Sequence, residues 1–260
     1  LVWTQSQLGF ALDAAGEMIV LRAPAGRTIV DMVGFGASAN GVARGRTPDG
    51  APDCTDLAEP TPGAPNAERR IWPVVINEIM YHPITEDDGD EFIELHNHGT
   101  HAVDLSGWRL RGGISFNIPP GIRLSPGGYL VVAADAARMR SRCAWLNETN
   151  CVGNFAGRLS DRNDTVRLQM PEALITTNAA GQWVTNIVHV TISEVTYWDG
   201  GEWGRWADGG GSSLELTDPR ADPRLASAWA DSDESQTCGW VTIEHTGVLD
   251  HGHSSYPASE

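Results

Sequence analysis

Apolar residues in this chain come in short bursts, and nearly every burst ends at glycine, proline, asparagine or aspartate. That pattern excludes long helices and predicts many short strands joined by turns. The clearest strands are read at 74–80, 91–95, 108–110, 129–133, 165–169 and 191–197, all rich in β-branched and aromatic residues. Between them stand turn-forming runs such as Ser106-Gly107, Arg111-Gly112-Gly113, Pro119-Pro120-Gly121 and Pro126-Gly127-Gly128. These residues either reach positive φ or preset φ near −65°. Only 133–143 reads as a short helix. About seven strands over one domain length signal an all-β sandwich.

Charge narrows the partners. The formal net charge is −16, from 34 acidic and 18 basic residues, and every basic residue is arginine. Such a surface repels polyanions, so nucleic acid is not an expected partner. A lysine-free acidic composition points to a GC-rich or salt-tolerant bacterial source. No apolar run approaches the ~18–20 residues that span a bilayer, so direct membrane insertion is not expected. Leu1-Val2-Trp3-Thr4 is no signal peptide, and the start reads as a processed or truncated end.

A pattern also recurs. The segments 10–13, 16–21, 28–35 and 41–46 follow the same order as 155–159, 164–168, 190–197 and 211–216. Residues 1–66 therefore read as the C-terminal half of a module. Residues 67–72 read as a linker, 73–231 as a complete module, and 232–260 as the start of a further β-module. Both flanks look like pieces of neighbours in a longer chain.

The complete module carries a resemblance. Ile76-Asn77-Glu78-Ile79 is followed by Asp90-Glu91-Phe92-Ile93-Glu94-Leu95-His96-Asn97, then by Val103-Asp104-Leu105-Ser106-Gly107-Trp108-Arg109-Leu110. Phe116-Asn117-Ile118-Pro119 and Leu124-Ser125-Pro126-Gly127-Gly128-Tyr129-Leu130-Val131-Val132 complete the series. In this order and spacing the run resembles a lamin tail domain. The resemblance implies an immunoglobulin-like β-sandwich, with a partial second copy at the N-terminus. Trp108 is expected between the sheets, with Leu105 and Leu110 beside it, and Asp104 is expected to accept N–H bonds in its turn. Nuclear-lamin features are missing: there is no heptad rod, basic import cluster or C-terminal prenylation cysteine. The chain is closer to bacterial extracellular versions of the domain, which occur in tandem. The tail 237–260 resembles the start of a jelly-roll module.

Four groups of residues invite chemistry. Asp87, Asp88, Asp90 and Glu91 form an acidic corner that could hold calcium, against the plainer reading of a solvated turn. His96, His98 and His101 carry a spacing that zinc sites use, although strand-end polar residues fill the same places. Trp198, Trp203 and Trp206 crowd a glycine-rich loop and could stack on sugars, or else cap the sandwich. Cys143 and Cys151 are expected to form a disulfide if the protein is exported, while Cys54 and Cys238 have no obvious local partner. No nucleophile–base pattern stands out, and nothing selects Glu94 and Glu194 as an acid pair. No cofactor beyond calcium is implied.

The sequence therefore predicts no enzyme but a structural or adhesive module of a secreted or cell-surface protein. Its expected partners are neighbouring modules, other copies through exposed strand edges, and glycans. The alternative is a carbohydrate-binding accessory to a hydrolase.

Overall fold

The computed structural model describes residues 2–24, 26–177 and 180–233. The chain opens with a single helical turn, α1 (Gln5–Leu8), closed by Gly9 in the left-handed region. Two hairpins follow, β1 (Gly16–Arg22) with β2 (Ile29–Gly36), and β3 (Arg44–Arg46) with β4 (Cys54–Asp56). Each hairpin is a two-stranded sheet of its own.

The sandwich begins with β5 (Val74–Met80), β6 (Phe92–Asn97), β7 (Val103–Asp104) and β8 (Arg109–Gly112). Then come β9 (Ile114–Asn117), β10 (Arg123–Leu124), β11 (Tyr129–Ala133), helix α2 (Ala136–Arg142), β12 (Cys151–Gly153) and β13 (Ala156–Gly157). Two long strands, β14 (Asn163–Thr177) and β15 (Trp183–Trp198), lead to β16 (Leu214–Leu216) and β17 (Trp229–Asp231). One sheet has the order β12-β11-β6-β5-β16-β17 and the other β13-β9-β8-β14-β15. Strand β12 lies parallel to β11, and the other pairings are antiparallel.

Alternation builds the core. In β6 the buried residues are Ile93, Leu95 and Asn97, every second position. Their side chains and those of Ile76, Ile79, Leu130 and Val132 meet Leu110, Ile114, Val166, Leu168, Val195 and Tyr197 from the facing sheet. Tyr81 stacks on Tyr197 at 4.5 Å between centroids. Trp108 is buried in this core with Leu105 and Leu110, as the sequence predicts. Asp104 accepts the Ser106 N–H at 2.9 Å, also as expected. Gly112 has φ 139°, and a Cβ there would stand 1.7 Å from the Thr165 carbonyl oxygen. Only glycine lets β8 and β14 approach so closely.

Asn97 is the polar hub of this fold. Its fully buried amide donates to the carbonyls of His101 and Leu124 at 2.9 Å and of Ser125 at 3.1 Å, and its oxygen accepts the Gly99 N–H at 3.0 Å. One side chain thus ties the turn at 99–101 to the end of β10 at 124–125.

Two expectations change. The long hairpin runs well beyond the strands read at 165–169 and 191–197. The stretch read as a linker is strapped down: Arg70 N–H donates to Asp56 O at 2.7 Å, Ala58 N–H to Glu68 O at 2.9 Å, and Trp72 Nε1 to Asp56 at 3.1 Å. The module read as starting at 232 lies outside the described residues, apart from 232 and 233.

Candidate interaction surfaces

The acidic corner is an arginine clamp. Helix α2 presents Arg138 and Arg142 on one face, four residues apart. Arg138 reaches Asp87 at 2.5 Å and Asp90 at 2.8 Å, and Arg142 reaches Asp90 at 2.5 Å. Thr85 donates to Asp90 at 2.6 Å, and Asp88 lies 3.5 Å from Arg158. Arginine beside Asp87 holds its carboxyl below the usual range. Glu91 turns the other way, into the core, where one oxygen accepts the Leu159 N–H at 2.9 Å. Its other oxygen is buried without a hydrogen-bond partner, and burial pushes its pKa up to about 7. Asp87 and Asp90 therefore share the Arg138 guanidinium, while Asp88 and Glu91 turn to other partners. Among the described residues no group of three or more His, Cys, Asp or Glu converges on a point fit for a metal ion.

The other sequence candidates also separate. His96 stacks on Tyr129 at 4.3 Å, whereas His98 Nε2 lies 2.8 Å from Trp72 O. Glu94 and Glu194 stand on different sheets, and Glu194 is paired with Arg167. Trp203 packs on the core, tilted against Trp229 at 6.5 Å, so it does not offer an open face. Trp198 and Trp206 are exposed.

The expected Cys143–Cys151 link does not form. Cys143 is disulfide-bonded, but Cys151 is a free thiol. The reason is β12, whose pairing with β11 turns Cys151 inward onto Val131, Ala133 and Ala136. Burial raises the thiol pKa there, as for an inert core cysteine.

Two apolar surfaces stand out instead. The first is the arm formed by the distal part of β14 and β15. Pairing of β14 with β8 stops at Gln169, while pairing with β15 continues to Thr177↔Trp183. Beyond Gln169 the hairpin has no third strand among the described residues. One face of this arm carries Ala173, Ile175, Trp183 and Ile187, since Ala173 pairs Ile187 and Thr177 pairs Trp183. Ile175, Trp183 and Ile187 are 66%, 78% and 56% exposed. The sequence held a signal for it in the β-branched run 184–192. Pro171 obscured it, because proline argues against a central strand. Here Pro171 sits just past Gln169, where β14 has become an edge.

The second surface is the β1–β2 hairpin. Its pairing follows the register of the base of β14–β15. Ile19↔Val33 matches Val166↔Val195, Glu17↔Phe35 matches Asp164↔Tyr197, and Leu21↔Asp31 matches Leu168↔Ser193. The hairpin leaves Met18, Val20, Leu21, Val30 and Met32 exposed.

Between the hairpins and the sandwich lies a polar cleft of about 390 Å³. Its arginines are already engaged. Arg44 pairs with Asp56 at 3.3 Å, Arg224 with Asp222 at 2.7 Å and Arg167 with Glu194. Arg69 donates to Arg220 O and Ala221 O, and Arg70 lies over the Trp72 ring at 4.6 Å. With Asn40 N–H donating to Glu172 at 3.1 Å, this is a seam between two parts of one chain.

Residues 71–185 match the Lamin Tail Domain. This is a non-enzymatic, immunoglobulin-like β-sandwich family. The lamin tail match ends inside the arm, yet the fold does not: β16 pairs with β5 and β17 with β16, completing the first sheet. No curated protein matches the chain.

Proposed function

We propose that this chain is a structural module of a secreted or cell-surface bacterial protein, and that it makes protein–protein contacts within an extracellular assembly. The β14–β15 arm carries the reading. An apolar strip on a two-stranded projection, with a tryptophan at its end, is the chemistry of a protein contact rather than of a solvated surface. The tight sandwich behind it serves as the rigid mount. Neighbouring modules and other copies of the chain are the partners this surface fits.

Sedimentation velocity tests it. The chain should associate as concentration rises, and a double variant Ile175→Ser/Trp183→Ser should stay monomeric with an unchanged Tm. A parent chain that is monomeric throughout would remove self-association through the arm.

Exposed Trp198 and Trp206 support a second reading, a carbohydrate-binding accessory module. Glycan-array binding that is lost in Trp198→Ala and Trp206→Ala would favour it over the first.

A further inference from the structure

We infer that the β1–β2 and β3–β4 hairpins are the second half of another sandwich, and that their inner face is a docking surface for a first half built like residues 74–133 of this chain. This rests on the reading of the chain as a structural module and names one partner.

The argument is a comparison within the molecule. Aligning the two long hairpins by register sets Leu12 against Leu159, Ile19 against Val166, Leu21 against Leu168, Val33 against Val195 and Phe35 against Tyr197. Three pairs are identical and two are conservative. Within the sandwich all five positions are 0% exposed. In the N-terminal unit Leu12 is 54% and Leu21 47% exposed, and Ile19, Val33 and Phe35 are only half-buried. The cover over the sandwich copy comes from Ile76, Ile79, Ile93, Leu95, Leu130 and Val132 on β5, β6 and β11. Nothing among the described residues takes that place over β1–β2.

The strand edge repeats the message. Strand β16 has two neighbours, β17 and β5, whereas among the described residues its counterpart β3 has only β4. An added strand on β3 would continue a sheet as β5 does on β16. A hydrogen-bond acceptor also stands at the same register position in both units. Ser193 Oγ accepts the Ile76 N–H of β5 at 3.3 Å. Asp31 occupies the equivalent position and is held by Arg46 of β3 at 2.7 and 3.0 Å. The occupant is therefore a short sheet with a Val/Ile/Leu inner face and a free edge strand. In the complete sandwich this half comes before its hairpin along the chain, so the same order puts the occupant on the amino-terminal side.

The test joins a second copy of residues 73–150 ahead of the whole chain and follows hydrogen exchange at residues 16–36. Amides there should slow by about 100-fold or more in the extended chain. Exchange as fast as in the unextended chain would overturn the proposal, and so would equal protection already present in a dimer of the unextended chain. A second arm asks whether a first half accepts these side chains at all. Val166→Ile with Tyr197→Phe gives the sandwich the N-terminal unit's inner face, and its Tm should stay within about 5 °C of the parent. Collapse of that variant would also overturn the assignment. Neither readout involves the arm, so the result stands apart from the association test.

Discussion

Two hairpins in this chain share a register and nearly share an inner face, yet one is core and the other is surface. Leu168 is fully buried and Leu21 is 47% exposed, although each sits in the same place in its ladder. Strand pairing cannot account for the difference, because both hairpins have it. What differs is the opposing sheet, together with strand β8, which flanks β14 but has no counterpart beside β1 among the described residues. Full burial of a leucine side chain contributes about 1.5–3 kcal/mol relative to exposure. The sandwich collects that at each inner position, and the N-terminal hairpin collects little of it. A two-stranded ribbon is marginal by itself, so the hairpin depends on the tie between Asp31 and Arg46 of β3.

The most forceful way to break this comparison is to place a charge at each matched position. Leu168→Asp buries a carboxylate with no partner in the core and should cost about 4 kcal/mol or more, enough to abolish the cooperative thermal transition. Leu21→Asp should change stability by less than about 0.5 kcal/mol, because the side chain already meets water. Thermal melts of both variants decide it. Comparable losses would mean that the hairpin's inner face is covered in solution.

A smaller effect tests whether the two regions unfold together. Asn97→Ala deletes four hydrogen bonds and takes the donor from the buried Leu124 carbonyl and from two partly buried ones, at a cost of about 3 kcal/mol. Calorimetry should show the sandwich transition moving down. Exchange at residues 16–36 should not change if the hairpins are a separate unit. A matching acceleration there would join the two regions into one cooperative block.

The fold was legible where local chemistry decides it. Val74–Met80 and Tyr129–Ala133 could be read because alternating or continuous apolar runs stop at unmistakable turns, and Trp108 because Ser106-Gly107 sets it on a tight turn. The interaction surfaces were not legible, for a different reason in each case. Ile175 and Trp183 lie on an extension of β14–β15 that only the loss of the β8 neighbour explains, and Pro171 argues locally against it. The acidic corner read as an open cluster because Arg138 and Arg142 arrive from a helix some fifty residues downstream. Cys151 looked ready to pair with Cys143 by spacing alone, but its direction is set by strand pairing, which sequence proximity does not encode.

The finest test uses pH, because the two regions titrate with opposite sign. Burial is the main cause that pushes Glu94 in β6 up to about 7, with Glu215 adding like charge and the Asn77 amide at 3.1 Å opposing. A carboxyl raised in the folded state favours folding most fully below its unfolded pKa, near 4.5, and that contribution is lost as pH rises through about 7. Asp31 in the N-terminal hairpin goes the other way, with Arg46 holding its pKa below 3.8. Its contribution is present above the unfolded value and lost only as pH falls through the lowered one. Between pH 5 and 8 the hairpin should therefore be flat while the sandwich weakens. For Glu94 the change is on the order of 2 kcal/mol, a few degrees in Tm. Glu94→Gln should reduce the slope and leave the part due to Glu91, which burial also pushes up to about 7, whereas Asp31→Asn should leave it intact. If the Tm of the parent does not change between pH 5 and 8, Glu94 is not titrating from a buried site, and the pH contrast between the two regions disappears.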